Sequence, residues 1–274
     1  MRIVILAPIK NSLYARLVTH LLVREPGIDV RRIVIRTPWN LKRLRGELKR
    51  DGARLLRKAY RKLVLGEAAY QHTIDEDSIA SLATMVRLPG NDLYDLGRQH
   101  DLAVSTVSDH NAPESCRVIQ DEEPDLIVFT GGGLIRSGIL DIPKLGTLNC
   151  HMGPLPQYRG MDVVEWPVLE HGRSTAELGL TVHFMDKGVD TGPVLMSKSI
   201  GFDDLNSFRQ IRDRMEPQMV RMMVKAVKAL QEKDVIPCAQ ELASGKQYFL
   251  MHPRLYQITE SLLAETSSLS IGAN

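Results

Sequence analysis

Only three cysteines, Cys116, Cys150 and Cys238, occur in the 274-residue chain, and no two of them form a CxxC pair. That count and spacing disfavour a disulfide framework and a zinc knuckle. No apolar stretch approaches the roughly 20 residues a helix needs to cross a bilayer. The opening MRIVILAPI is apolar only for the length of a strand and lacks the longer core and cleavage site of a secretory signal. A cytoplasmic protein without a membrane span is expected.

Several motifs are also missing. The first turn, APIKNSLYA, carries no glycine, and a dinucleotide fingerprint needs glycines there for the tight turn and the close approach of backbone to pyrophosphate. No GxSxG elbow is present, which argues against a serine triad. His110, His151, His171 and His183 show no HExxH or comparable ligand spacing, so no metal site is expected.

What is present is ordinary in bulk: 43% hydrophobic and 25% charged residues, with a net charge of +2. These values belong to a soluble globular chain long enough to bury a sizeable core. The balance conceals one basic segment, Leu41 to Leu65, where Leu41, Leu44, Leu48, Leu55, Ala59 and Leu63 recur at helical spacing among ten lysines and arginines between Lys42 and Lys62. The pattern predicts basic amphipathic helices that serve either as a solvated face or as a partner for an anionic substrate, nucleic acid or membrane surface. With Tyr60 as its only aromatic, the segment offers no stacking platform, which disfavours nucleic acid.

In chain order, Arg2 to Pro8 reads as a buried strand, Asn11 to Arg24 as a helix and Asp29 to Arg36 as a second strand. Strand, helix, strand predicts a parallel sheet with right-handed crossovers. DSIASLATM and DLYDLGRQH read as short helices and DLAVSTV as an edge strand; loops specific to substrate are expected between 66 and 113. A helix ending at Pro124, a strand from Asp125 to Thr130 and the run Gly131–Gly133 follow. That run would admit positive φ and expose backbone to a ligand, or serve as a plain turn. Gly146 to Met152 is a further strand, PLPQYRG a rigid turn, Asp162 to Leu169 a helix, and Gly179 to Met185 a strand ending in DKGVDTGP. One long helix, or two joined near Pro217, runs from about Leu205 to Lys233, its methionines read as core. KQYFLMHP is a candidate strand and YQITESLLA a last helix.

The chemistry concentrates in Asn149, His151 and Asp190. Asn149 and His151 are two apart on a strand and share a face, whereas Cys150 points away into the core. Each has a bland alternative: a cap, a structural histidine, a turn former. Together they supply amide donors, a group that titrates near neutral pH and a carboxylate to orient it, which suits a reaction that builds negative charge on a carbonyl oxygen.

LNCHMGPLPQYRG followed by LTVHFMDKGVDTGPVL resembles the formyltransferase family that uses 10-formyltetrahydrofolate, including methionyl-tRNA, glycinamide ribonucleotide and sugar N-formyltransferases. The resemblance spans about Asp125 to Ile200, with weaker agreement at the first strand and at VSDHNAPES. It implies an α/β fold with a Rossmann-like, mostly parallel sheet flanked by helices, with residues 1–200 as catalytic domain and 201–274 as a helical extension containing a short strand or hairpin. It makes Asn149, His151 and Asp190 the catalytic trio, with His151 protonated, and places His183 near them. Leu134, Ile135, Arg136, Asp186 and Val189 would line the folate, the co-substrate.

The family's purine-pathway branch holds its substrate phosphate on a glycine- and serine-rich first turn, which this chain lacks. Its transfer-RNA branch adds a C-terminal barrel, for which the segment after Ile200 is expected to be too short. Its hydrolase branch carries a domain ahead of the first strand, and none is expected before Arg2. The acceptor implied is a small-molecule amine, anionic or nucleotide-linked, with no nucleic acid partner; a homodimer is allowed. A transfer-RNA enzyme, a formylfolate hydrolase and a non-catalytic folate binder remain the alternatives.

Overall fold

The computed structural model describes residues 1–37 and 78–264. The basic segment 41–65 lies outside the described residues. The chain begins with β1 (Arg2–Ala7), α1 (Leu13–Leu22) and β2 (Asp29–Arg36), continues with α2 (Ile79–Met85), α3 (Leu93–His100) and β3 (Ala103–Val107), and then runs through α4 (Pro113–Gln120) and β4 (Leu126–Phe129). After them come α5 (Ser137–Leu140), β5 (Gly146–His151), β6 (Tyr158–Gly160), α6 (Glu165–His171), β7 (Gly179–Phe184) and β8 (Val194–Ser199). The described chain closes with α7 (Phe208–Glu232), β9 (Lys246–Tyr248) and α8 (Pro253–Ala264).

Seven strands form one sheet in the order β3-β2-β1-β4-β5-β7-β8. The first five are parallel, while β7 and β8 pair antiparallel. β1 is covered on both faces, and Ile3 to Ala7 are fully buried, as expected of an apolar run at the centre of a parallel sheet. From β1 the chain winds outward through β2 to β3, then restarts on the other side at β4. That reversal puts a crevice outside the carboxyl ends of β1 and β4, the usual place for a ligand in such sheets.

The expected first helix is α1, and Ser12 Oγ caps it by accepting from the Ala15 N–H at 3.3 Å. A glycine-free first turn is thus used as a helix start. β3 is the edge strand expected of DLAVSTV. The long C-terminal helix is a single element: α7 passes through Pro217 without ending. Its Phe208, Ile211, Met215, Val220, Met223 and Val227 share one hydrophobic cluster with β1, β5, β7 and α1. Each fully buried side chain of this size contributes about 1.5–3 kcal/mol relative to exposure.

Three local expectations are corrected. PLPQYRG is not only a turn, because its last three residues form β6 and pair in parallel with β9. KQYFLMHP yields only that three-residue strand. The helix expected from Asp162 starts at Glu165, because Asp162 takes a left-handed φ of 52° and accepts from the Met251 N–H at 2.7 Å. β8 was not separable in sequence from the loop before it. Among the described residues, no helix is long and apolar enough to cross a membrane.

Candidate active site

β5 delivers Asn149 and His151 on one face, and Cys150 on the other joins the core, where burial pushes its thiol pKa up. The antiparallel register sets Asn149 opposite His183 and His151 opposite Thr181. A register shift between Val182 and His183 in the β7·β8 ladder is a bulge-like irregularity of the kind that re-aims side chains beside active sites. Asn149 Nδ2 lies 3.3 Å from His183 Nε2, while His183 Nδ1 donates to the Phe184 carbonyl at 2.8 Å. The two imidazoles sit edge to face with centroids 6.3 Å apart.

His151 Nε2 donates to the Tyr158 carbonyl at 2.8 Å, so its Nδ1 is the nitrogen left for chemistry. A Cβ at Gly153 would lie 2.9 Å from His151 Nε2 and 3.0 Å from that carbonyl oxygen, so only glycine fits under the ring. Buried Thr181 ties the same turn by donating to the Gly153 carbonyl at 2.8 Å and accepting from the Leu155 N–H at 3.2 Å.

Asp190 arrives from the loop after β7. One carboxylate oxygen lies 3.5 Å from His151 Nδ1, the other 3.5 Å from His183 Nε2. The Gly160 N–H donates to the first oxygen at 2.9 Å. Asp190 itself is left-handed, with φ of 53°, a conformation that non-glycine residues hold only where the surroundings impose it.

Burial would raise the Asp190 pKa, but the contacts with His183, His151 and the Gly160 N–H outweigh it and hold the carboxyl below its ordinary value. For His151, burial is the largest influence and lowers its pKa, against the opposing pull of Asp190 and the Tyr158 carbonyl. The resemblance implies a protonated His151, and burial of the ring works against that charge while Asp190 works for it.

The other expected site residues occupy two loops. Gly131, Gly132 and Gly133 take φ of 114°, 125° and 95°, so the run is a conformational requirement. Leu134 is 71% exposed, Ile135 is buried and Arg136 is exposed. Asn111, from the VSDHNAPES segment, donates to the Leu134 carbonyl at 2.8 Å and accepts from the Arg136 N–H at 2.7 Å. Asp186 Oδ1 is committed to its own turn, accepting from the Gly188 N–H at 3.0 Å and the Thr191 hydroxyl at 2.6 Å. Val189 is half-buried in the same loop. Met185, beside Asp186, packs against the cluster that holds Ile135, so the two loops are anchored in one small core.

Asn149, His151, His183 and Asp190 are therefore joined directly; Leu134–Arg136 and Asp186–Val189 lie on the loops that follow β4 and β7. Sequence reading did not single out Asn111, Gly153 or the Tyr158 carbonyl. An asparagine among Asp, His and Pro was the only signal for the first. A separate cavity of about 450 Å³, lined by Tyr158, Glu170, Lys246 and Tyr248 among others, contains none of the expected site residues.

The fold and the site together define an α/β protein with an amide, two imidazoles and a carboxylate gathered at the C-terminal end of β5 in a mostly parallel sheet. The Formyl transferase family profile matches residues 2–227, and the chain belongs to that family. Over 132 residues it is 30% identical to a methionyl-tRNA formyltransferase of Caldanaerobacter subterraneus subsp. tengcongensis, an alignment covering 48% of this chain and 42% of that protein. The match thus spans less than half of that relative's length. A sugar N-formyltransferase from Shewanella sp FDAARGOS_354 superposes with a TM-score of 0.56 at 11% identity, covering 96% of this chain and 87% of that one. Phosphoribosylglycinamide formyltransferase from Bacillus Halodurans gives 0.56 at 14% identity, covering 85% and 97%. At such identities the two superpositions speak to fold.

Proposed function

We propose that the chain transfers a formyl group from 10-formyltetrahydrofolate to the primary amine of a small molecule, and that the acceptor is anionic, of the nucleotide-linked amino-sugar class. The observation that carries the chemistry is the placement of the Asp190 carboxylate 3.5 Å from both His151 and His183, with His151 Nδ1 turned towards it. The formylated folate supplies the reactive carbonyl carbon. His151 Nδ1 takes the proton that the amine loses on attack, and Asp190 stabilises the imidazolium so formed. The Asn149 amide donates to the carbonyl oxygen as it gains negative charge. His151 then returns its proton to the departing nitrogen, leaving a formamide and tetrahydrofolate.

Leu134, Ile135, Arg136, Asp186 and Val189 would hold the folate ring. Asn111 keeps the first of those loops in a fixed shape, and fixed shape is what positions a planar ligand.

The test is formyl transfer from 10-formyltetrahydrofolate to a panel of amines, followed by mass spectrometry of each acceptor. Formylation of an amino sugar linked to a nucleotide is the expected result. The sequence likeness to methionyl-tRNA formyltransferases makes methionyl-tRNA the second acceptor to include, and its preferential formylation would replace the small-molecule reading. Loss of formylfolate without any formylated product would indicate hydrolysis, and no turnover at all would sink the enzyme reading.

A further inference from the structure

Asp190 is held from two directions, by Gln240 of the C-terminal segment and by Gly160 of β6. Gln240 lies on the strand-like segment that follows α7, where Val194 and Cys238 exchange backbone hydrogen bonds of 2.8 Å in each direction. From there its amide nitrogen donates to the Asp190 carbonyl at 3.0 Å and to the Gly192 carbonyl at 2.6 Å. Two carbonyl oxygens accept only from the NH₂ end, so the orientation of this amide follows from its partners. At the other end of the residue, the Asp190 carboxylate accepts from the Gly160 N–H, and Gly160 belongs to β6, which is paired to β9.

The loop needs such a hold. Asp190 occupies a left-handed backbone conformation, which persists only where neighbours over-determine it. Asp186 closes the loop's own first turn through Gly188 and Thr191, but it does not reach the Asp190 carbonyl. Gln240 bonds the backbone on both sides of Thr191, at residues 190 and 192. It therefore fixes where the Asp190 carboxylate is carried relative to the two imidazoles.

We infer that Gln240 is a positioning residue for formyl transfer: by holding the carbonyls of Asp190 and Gly192 it keeps the Asp190 carboxylate between His151 and His183. This rests on the proposed role of Asp190. The Gln240 amide is committed to these two carbonyls and acts through the loop.

Gln240→Glu and Gln240→Met retain the side chain's length and remove both donors; the glutamate also sets a carboxylate against two carbonyl oxygens. A shift of about 1 Å in a reacting group costs up to about 100-fold in rate, so kcat is expected to fall about tenfold or more in both variants, with the glutamate worse. The Michaelis constant for the formylfolate should rise less than kcat falls, because Asp186 is held by its own turn, and the melting temperature should fall by no more than two lost hydrogen bonds require. Because Asp190 raises the His151 pKa, its displacement should also move the acid limb of the kcat profile to lower pH.

Asp190→Asn is measured alongside. If it abolishes turnover while both Gln240 variants keep wild-type kcat and an unmoved acid limb, the inference is overturned and the role of Asp190 stands. A lower melting temperature with a proportionate rate loss and an unmoved limb would make Gln240 merely structural, which overturns it as well. If Asp190→Asn itself turns over at a near wild-type rate, the reading of Asp190 fails and this inference falls with it.

Discussion

Replacing Gly160 by alanine probes the contact on which the site geometry depends. A Cβ there would lie 2.2 Å from the Tyr248 carbonyl oxygen and 3.2 Å from the carbon behind it. Both are backbone atoms, so no side-chain rotation relieves the contact, and β9 must move away from β6 by about 1 Å to restore an ordinary separation. Gly160 also has φ of 102°, where an L-residue is strained by about 1–3 kcal/mol. Overpacking adds about 1–3 kcal/mol, so Gly160→Ala should lose about 2–6 kcal/mol of unfolding free energy.

The same movement displaces the Gly160 N–H from the Asp190 carboxylate, now 2.9 Å away. A catalytic loss of about 10- to 100-fold in kcat should accompany the lost stability. Denaturant unfolding gives the first quantity and saturating kinetics below the unfolding transition the second. A variant with wild-type stability and wild-type kcat would show that the β6·β9 contact neither strains nor supports the site, and the reasoning would fail.

Three further outcomes are expected. His151→Ala, which removes the proposed base, should lower kcat by about 100- to 10,000-fold with circular dichroism unchanged; near wild-type turnover would remove it from the reaction. His110 is buried against the Val34 carbonyl, and burial pushes its pKa from 6.5 down to about 4. The folded state resists protonation where the unfolded chain accepts it, so stability is full above pH 6.5 and declines towards pH 4, by about 3 kcal/mol in all. His110→Leu should flatten that part of the pH–stability curve, and an unchanged slope would contradict the assignment. Arg212 forms two bonds of 2.6 and 2.9 Å to the buried carboxylate of Glu165; Arg212→Met strands that charge and should cost about 3–5 kcal/mol in denaturant unfolding.

Much of the molecule is legible in the order of residues. RIVILA, DLIVF and GTLNCH are runs whose composition suffices for buried strands, and the helical spacing from Leu205 to Lys233 survives Pro217 as one helix. Asn149 and His151 share a face because strand geometry alternates, and no tertiary information is needed for that. Other features escape local reading. β6 and β9 are three-residue strands about ninety positions apart, and neither carries a periodicity long enough to mark it. Gln240 looks like any polar residue in a loop, because its role resides in two carbonyls some fifty residues earlier.

Residue types and local spacing by themselves determined the parallel sheet, the glycine-free first turn and the shared face of Asn149 and His151, since strand alternation and helical periodicity act over a few residues; the family resemblance added Asp190. Only the tertiary structure decided the lowered pKa of His151, the pairing of Asp190 with two imidazoles and the bracing of its loop from the C-terminal segment. The reason is physical: burial, which lowers the imidazole pKa, and long-range pairing, which sets the carboxylate 3.5 Å from it, exist only once distant segments are packed together.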